Sequence, residues 1–288
     1  FLNAMTYPDK TCYPVASCND KDFQNLMHVY LDSVFNPNIY KREEIFRQEG
    51  WNYHLEQKEG PLKYNGVVYN EMKGAFSSPD EVLEREIMNL LFPDTTYGCE
   101  SGGDPKNIPD LTYENFLNFH RTYYHPSNSY IYLYGNMDME EKLAILDEHY
   151  LSHFDYLDVD SVIQEQKAFG ACRDVTLEYP VAENEGEEDN TYLSYNMVVG
   201  NAEDSQMAMA FEVLDYALLS APGAPLKQAL LDVKAGKDVY GSYDDGILQP
   251  YFTVIAKGSN PDRKEEFVSV IRQVLGDIVK NGIDKNAV

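Results

Sequence analysis

The stretch GVVYNEMKGAF, residues 66–76, places a carboxylate in the middle of an apolar run. In a helix these residues fall into two neighbouring rows of side chains: Val67, Glu71, Ala75 and, beside them, Val68, Met72, Phe76. The two rows form an apolar stripe wide enough to face a core, with Glu71 at its centre. A buried carboxylate without a partner is too costly to keep ionised, so Glu71 needs a cation, hydrogen bonds or a proton.

Two interpretations of Glu71 are open on this pattern alone. In the first, which periodicity favours, it is a core residue paired with Arg47, Arg85 or Lys73. In the second it is a metal ligand. Glu49 raises the same question, because it also points towards an apolar face of a predicted helix. It is either a surface residue at a helix C-terminus or, together with Glu71, one of two acids that converge on a cation.

The chain is strongly acidic, with 48 Asp and Glu against 23 Lys and Arg and a formal net charge of −25. This charge argues against nucleic acids and anionic membranes as partners, and the sequence contains no run typical of a transmembrane helix. Cys12, Cys18, Cys99 and Cys172 match no zinc-site spacing and are predicted to be free thiols in a reducing compartment. If the protein is bacterial, that compartment is the cytoplasm; an organelle matrix is the alternative.

A chain of 288 residues is expected to form two domains. Each half combines hairpin strands, long helices and a returning strand, and the boundary is predicted near residue 165. The predicted class is α+β, with helices packed on one face of a mixed or antiparallel sheet and the domain duplicated. The predictions include these elements: a hairpin of strands 1–5 and 11–17, a helix capped at Asn19 or Asp20, strands at 129–134 and 174–178, and an exposed acidic loop at 182–190.

Seven segments occur in an order that resembles one known family: FLNAMTYPDKTCYPVAS, DFQNLMHVYLDSVF, RQEGW, GVVYNEMKGAF, SGGDP, YYHPSN and YGNMD. Together they resemble the insulinase/pitrilysin family of metallopeptidases, in its presequence-protease branch. The resemblance covers nearly all of the first predicted domain and continues more weakly through LLSAPGAPLKQAL to the C-terminus. An ordered set of this kind is far more specific than any single motif.

The resemblance implies an inverted zincin, in which two His of an H-x-x-E-H motif and a distal Glu hold Zn²⁺ and the motif Glu activates the attacking water. Glu71 matches the distal zinc ligand, so that its cation would be Zn²⁺. Glu49 matches the acid that steadies a ligating His. Asn3 and Ala4 match the edge strand to which an unfolded peptide adds as an extra strand. The implied function is degradation of unfolded peptides inside a closed chamber.

The sequence departs from this family at the decisive motif. None of its six His begins or ends an H-x-x-E-H, which in the family lies upstream of the segment that matches Phe1. We therefore expect a fragment, inactive alone, without two zinc ligands, the general base and the C-terminal half that would be its partner. Its expected domains are residues 1–165, a zinc-site domain missing its first part, and residues 171–288, a truncated homologous copy. The alternative is a non-catalytic binding subunit of the same fold.

Overall fold

The computed structural model describes residues 1–182 and 186–283, which form two compact units. The first unit contains Phe1–Ser78 and Glu100–Ile163, and the second contains Pro79–Cys99 together with the chain from Gln164 onward. Residues 183–185, part of the predicted acidic loop, lie outside the described residues. No helix of the described ranges is both long and apolar enough to cross a membrane.

The helices of the described residues are α1 Asp20–Phe35, α2 Glu43–Ile45, α3 Val67–Ala75, α4 Pro79–Leu91, α5 Tyr113–Tyr123, α6 Met139–His149, α7 Ser205–Asp215, α8 Pro225–Asp232 and α9 Lys264–Asn281. Helix α2 continues into a π-helical turn at Phe46–Gly50, and α7 into another at Tyr216–Ser220. The strands are β1 Met5–Thr6, β2 Thr11–Cys12, β3 Asn52–His54, β4 Lys63–Asn65, β5 Thr191–Val198, β6 Asp238–Asp244 and β7 Tyr251–Ser259.

The predicted N-terminal hairpin is confirmed. Strands β1 and β2 pair antiparallel with Met5 opposite Cys12, and the same register continues to a bridge between Leu2 and Val15. Its turn is closed by a hydrogen bond of 2.8 Å from the Tyr7 N–H to the Lys10 carbonyl. The regular strands are shorter than predicted, because only two residues of each have full ladder geometry.

Helix α1 follows its sequence signals closely. The side chain of Asn19 accepts a hydrogen bond from the Asp22 N–H at 3.1 Å, which satisfies one of the free donors of the first turn. Met27 and Phe35 are buried on the predicted face. The helix ends just before Pro37, whose ring cannot continue it.

Helix α3 forms where predicted, but it faces the core differently. Gly66, just before the helix, has φ of 148°, and a Cβ there would lie 2.2 Å from the Gly50 carbonyl oxygen. Only glycine allows this close backbone approach. It fixes the start of α3 against the π-helical turn that follows α2.

In that orientation Tyr69 and Met72 pack on a cluster formed by Phe46, Trp51 and Ile108, which we call the Trp51 cluster. Met72 belongs to the predicted stripe, but Glu71 at the centre of the stripe is exposed, and its Val67 and Val68 remain 43% and 37% exposed. The prediction that the whole stripe faces a core is therefore wrong, because only its Met72 contacts the Trp51 cluster. The backbone contact at Gly66 sets the rotation of α3 about its axis. The periodicity of the sequence gives no information about this contact.

The second unit is built on an antiparallel sheet with the strand order β5-β7-β6. Leu193, Ala256 and Val239 lie in one row across the three strands and are buried. They share a core with side chains of the helices that follow, namely Leu226 and Leu230 of α8 and Phe267 and Ile271 of α9. The predicted α+β class is confirmed.

Helix α4 covers the opposite face of this sheet. Asp80 in its first turn accepts two hydrogen bonds from Lys257 Nζ, at 2.8 and 3.0 Å, and one of 3.2 Å from the Tyr240 hydroxyl. Residues 79–99 therefore belong to the second unit, although they precede the boundary predicted near residue 165. Homology between two copies of one domain stays a prediction.

Two predicted strands are not formed. Residues 130–134 alternate tyrosines with Ile and Leu, and residues 174–178 contain Val, Thr and Leu, but neither segment pairs with another strand of the described ranges. A strand is completed by hydrogen bonds to a neighbour, so side-chain propensity alone does not make one. Within its described residues, the first unit contains two separate hairpins and no larger sheet.

Candidate functional site

Glu71 is exposed on helix α3. Successive helical residues are rotated by about 100°, so that Glu71 points away from the face on which Tyr69 and Met72 contact the Trp51 cluster. Among the residues that the structure describes, it makes no ion pair and no hydrogen bond. The carboxylate is thus presented to solvent by a helix whose Tyr69 and Met72 contact the Trp51 cluster on another side.

The cations proposed for a core pair with Glu71 are engaged elsewhere or make no pair with it. Arg47 donates two hydrogen bonds, of 3.0 and 2.8 Å, to Glu43. Arg85 donates to Glu86 at 3.1 Å. The interpretation of Glu71 as a buried, paired core residue is therefore wrong, since the side chain is not buried.

Glu49 belongs to the π-helical turn Phe46–Gly50, next to the point where α3 begins. It is exposed, and its Oε1 accepts a hydrogen bond of 3.0 Å from Gln48 Nε2. Glu49 and Glu71 thus lie on two elements that touch at Gly50 and Gly66. Convergence of the two carboxylates on one cation stays a prediction.

The described residues do not form a metal site by themselves. They contain no group of three or more His, Cys, Asp or Glu side chains that could hold a metal ion. Several imidazoles are used within the fold instead: His28 Nδ1 lies 3.1 Å from the Tyr150 hydroxyl, and His125 Nδ1 accepts from the Ser127 N–H at 3.2 Å. The His, Cys, Asp and Glu side chains of the described residues therefore do not form a complete zinc site.

Asn3 and Ala4 are exposed and lie between the bridge at Leu2 and strand β1, in the first arm of the N-terminal hairpin. The Asn3 N–H donates to the Pro14 carbonyl at 3.2 Å, so the odd-numbered residues direct their backbone groups towards β2. Leu2 and Ala4 point theirs to the outer edge, where no further strand of the described ranges pairs. Asn3 Oδ1 accepts from the Ala4 N–H at 2.9 Å and would have to release it before an incoming strand could bind there.

A hydrogen bond that the sequence did not reveal joins this hairpin to Tyr124, the residue that follows helix α5. The hydroxyls of Tyr13 and Tyr124 lie 2.7 Å apart, and burial together with this bond raises the pKa of Tyr13. The two residues are 111 positions apart, so no local pattern signals their contact.

His120 on α5 similarly contacts the last turn of α1 and the short turn that contains Tyr40. Its Nε2 lies 2.8 Å from the Val34 carbonyl and its Nδ1 lies 2.7 Å from the Tyr40 hydroxyl. A neutral imidazole satisfies both partners, donating from Nε2 and accepting at Nδ1. Burial lowers the pKa of His120, which favours this neutral form.

Comparison with protein families and curated proteins gives consistent results. Residues 110–288 match the family model described as the peptidase M16 inactive domain. All of the chain aligns with Protein HypA of Clostridium perfringens, at 54% identity over 288 residues, and covers 30% of that protein. It is 41% identical over 292 residues to Presequence protease 1, chloroplastic/mitochondrial, of Arabidopsis thaliana, of which it covers 27%. The chain thus spans less than a third of the length of these relatives.

Solved structures share the fold at low sequence identity. The peptidase M16 inactive domain from Pseudomonas fluorescens has a TM-score of 0.65 at 16% identity, over 100% of this chain and 64% of that one. An M16-like peptidase from Alicyclobacillus acidocaldarius has a TM-score of 0.58 at 18% identity. The alignment covers 99% of this chain and 62% of the chain of that peptidase. At these identities the likeness concerns the fold alone.

Proposed function

Since the chain belongs to the peptidase M16 family, we propose that it is part of a zinc-dependent metalloendopeptidase that degrades unfolded peptides. The observation that carries this proposal is the family match over residues 110–288, together with relatives that are named presequence proteases. The peptides would be cleaved inside a closed chamber, to which a C-terminal half outside these 288 residues would contribute.

In this proposal Glu71 supplies one ligand of the metal site. An exposed carboxylate without a counter-ion, held on a helix that is packed against the Trp51 cluster, suits a ligand that must keep its position. Glu49 would act as a positioning residue that accepts a hydrogen bond from a ligating His. The other ligands would come from polypeptide beyond the described residues, since these form no complete metal site.

The chain's own contribution to substrate binding would be the outer edge of the N-terminal hairpin. The backbone groups of Leu2 and Ala4 point to that edge, and an extended peptide can pair there as an added strand. The network of Tyr13 and Tyr124 would hold the hairpin in place while the peptide binds. The 288-residue chain alone is expected to bind a peptide weakly and not to cleave it, because the general base is not among its residues.

The test uses the full-length protein that contains this chain. Glu71→Gln should abolish bound zinc, measured by atomic emission, and cleavage of an unfolded fluorogenic peptide. Glu140→Gln, which removes an exposed carboxylate on α6 of the same unit, should change neither. Full zinc content in the Glu71→Gln protein would contradict the assignment of the ligand, whatever the activity.

The alternative is a non-catalytic binding subunit of the same fold. It is favoured by the description of the matching family model as an inactive domain. The two candidates differ in one measurement: a full-length protein that binds unfolded peptides without cleaving them, with or without added zinc, would establish the alternative.

We also propose that the protein works in a reducing compartment, either a bacterial cytoplasm or an organelle matrix. Its four cysteines are free thiols in the structure. The relatives come from a bacterium and, by their names, from mitochondria and chloroplasts.

A further inference from the structure

Glu49 and Glu71 stand on two elements that are joined by a direct backbone contact. Glu49 immediately precedes Gly50, the last residue of the π-helical turn, and Glu71 lies in the second turn of α3, which begins just after Gly66. A Cβ on Gly66 would lie 2.7 Å from the Trp51 Cα and closer still to the Gly50 carbonyl oxygen. Only glycine lets the two backbones approach this far, so the spacing of the two elements is fixed where they touch.

Three side chains, Asn52, Asn65 and Asn70, form a second connection between the same two elements, which we call the asparagine bridge. Asn52 Nδ2 donates a hydrogen bond of 2.8 Å to the carbonyl of Arg47 in the π-helical turn. Asn52 lies opposite Asn65 in the pairing of β3 with β4. Asn65 Oδ1 then accepts a hydrogen bond of 2.9 Å from Asn70 Nδ2 on α3. The bridge thus runs from the π-helical turn, across the hairpin, to the helix.

The hairpin in the middle of the asparagine bridge is itself held in place. Its Tyr53 and Tyr64 rings lie against Trp51, with ring centroids 5.4 and 5.8 Å away. Trp51 is buried, and its Nε1 donates a hydrogen bond of 2.8 Å to the Leu111 carbonyl. The bridge is therefore anchored on the Trp51 cluster, and its hydrogen bonds can set the distance between the two elements.

Neither carboxylate is fixed by an ion pair of its own. Within residues 1–182 and 186–283, Glu49 accepts a hydrogen bond from its chain neighbour Gln48 and makes no other side-chain contact of this kind, and Glu71 makes none. A functional side chain must be held within about 0.5 Å of its productive position. For these two acids, that precision has to come from the backbone that carries them.

We propose that Gly66 and the asparagine bridge are positioning elements of the site to which Glu49 and Glu71 belong. They hold the two acids at a fixed spacing before any metal is bound. This inference rests on the proposed function, in which Glu71 is a zinc ligand and Glu49 holds a ligating His. The bridge acts through the position of the two acids and contacts neither metal nor peptide.

The zinc affinity of the full-length protein, measured by competition with a coloured chelator, tests this proposal. Asn65→Ala removes the acceptor for Asn70 and should lower the affinity by about tenfold or more, the usual cost of losing a group that orients a ligand. Asn65→Asp keeps an oxygen acceptor at the same place and should retain the affinity. Asn128→Ala is the matched control, because it removes another hydrogen bond of 2.9 Å, from Asn128 Nδ2 to the Tyr123 carbonyl, in the same unit. It should leave the zinc affinity unchanged.

Two further measurements separate positioning from folding. In the 288-residue chain without zinc, the α3 amides should exchange faster in Asn65→Ala than in Asn65→Asp or Asn128→Ala, while circular dichroism shows that all three variants stay folded. In the full-length protein, Asn65→Ala should lower kcat for peptide cleavage with little change in KM, because the bridge does not contact the peptide. Should Asn65→Ala not fold, Asn70→Ala removes the donor of the same hydrogen bond and takes its place.

The possible outcomes distinguish this inference from the function on which it rests. Unchanged zinc affinity in folded Asn65→Ala, an equal loss in Asn128→Ala, or an equal loss in Asn65→Asp would overturn the positioning role alone. An unmodified protein that holds no zinc, or a Glu71→Gln protein with full zinc, would overturn the proposed function and this inference with it.

Discussion

Asp80→Asn is expected to weaken the attachment of helix α4 to the sheet of the second unit. The Asp80 carboxylate accepts two hydrogen bonds from Lys257 Nζ and one from Tyr240, and the Tyr192 hydroxyl lies 3.5 Å from its Oδ2. The hydrogen bond from Lys257 is the main reason that the pKa of Asp80 is lowered. Burial, and then the nearby Asp80 charge, raise the pKa of Tyr240 to about 12.

The expected loss of stability is limited by the solvent exposure of the Asp80–Lys257 ion pair. The side chains of Asp80 and Lys257 are 49% and 43% exposed, so solvent screens much of their attraction. A pair of this kind contributes roughly 0.5–1 kcal/mol. Loss of a negative charge from the first turn of a helix adds about 0.5 kcal/mol. We therefore expect Asp80→Asn to lower the free energy of unfolding of the second unit by about 1–1.5 kcal/mol.

The pH dependence has a definite sign. Because the pKa of Asp80 is lower in the folded state than in the unfolded chain, its stabilisation is fully present above the ordinary value of about 3.9. It is lost as the pH falls through the folded-state pKa. The difference between the unmodified chain and Asp80→Asn should thus be constant near neutral pH and disappear in acid.

Hydrogen exchange of the β7 amides measures the change directly. In the variant these amides should exchange roughly 5–13 times faster at neutral pH. The only tryptophan, Trp51, lies in the first unit, and its fluorescence should not change. Asp262→Asn, at an exposed acid of the second unit, is the matched control. Unchanged β7 exchange in Asp80→Asn, or an equal change in both variants, would refute the reasoning.

Three further predictions concern the first unit. Calorimetry of the 288-residue chain should give zinc binding weaker than micromolar, since the proposal assigns it one ligand, Glu71, where catalytic zinc normally has three. Tighter binding that Glu71→Gln abolishes would mean that the ligands were misplaced. Gly66→Ala, whose Cβ would lie 2.2 Å from a carbonyl oxygen, should destabilise the unit by roughly 2 kcal/mol or more in denaturation followed by Trp51 fluorescence. Gly74→Ala, with nothing within 4 Å of its Cβ, should stabilise it by about 0.5–1 kcal/mol, and equal effects would contradict the packing. The lowered pKa of His120 should make the unit less stable as pH falls below about 6.5, and an NMR titration midpoint at or above that value would exclude this.

Local signals in the sequence predicted local structure well. The turn at Tyr7–Lys10 and the cap at Asn19 each involve residues close in sequence, and both are formed as expected. The strand predicted at residues 129–134 failed because a strand needs a neighbour, and propensity carries no information about one.

Contacts between distant residues were not predictable in the same way. Asp80 and Lys257 are 177 positions apart, so no local sequence pattern predicts their ion pair. The position of α4, which depends on this pair, could therefore not be predicted either. Periodicity drew attention to Glu71, and the assignment of Glu49, Asn3 and Ala4 came from ordered motifs shared with a family. The exposure of Glu71 depends on how Gly66 seats helix α3, which is a property of the folded backbone.

The discontinuity of the two units has a consequence for synthesis. Helix α4 leaves the ribosome long before strand β7, which ends at Ser259 and completes the sheet that α4 covers. At ordinary rates of translation the delay is on the order of ten to thirty seconds. During that time the side of α4 that carries Ile87, buried in the finished unit, has no sheet to cover. A nascent chain of this protein therefore presents the apolar side of α4 as a transient binding site for chaperones, and a break in the chain between residues 100 and 163 would separate that helix from its sheet permanently.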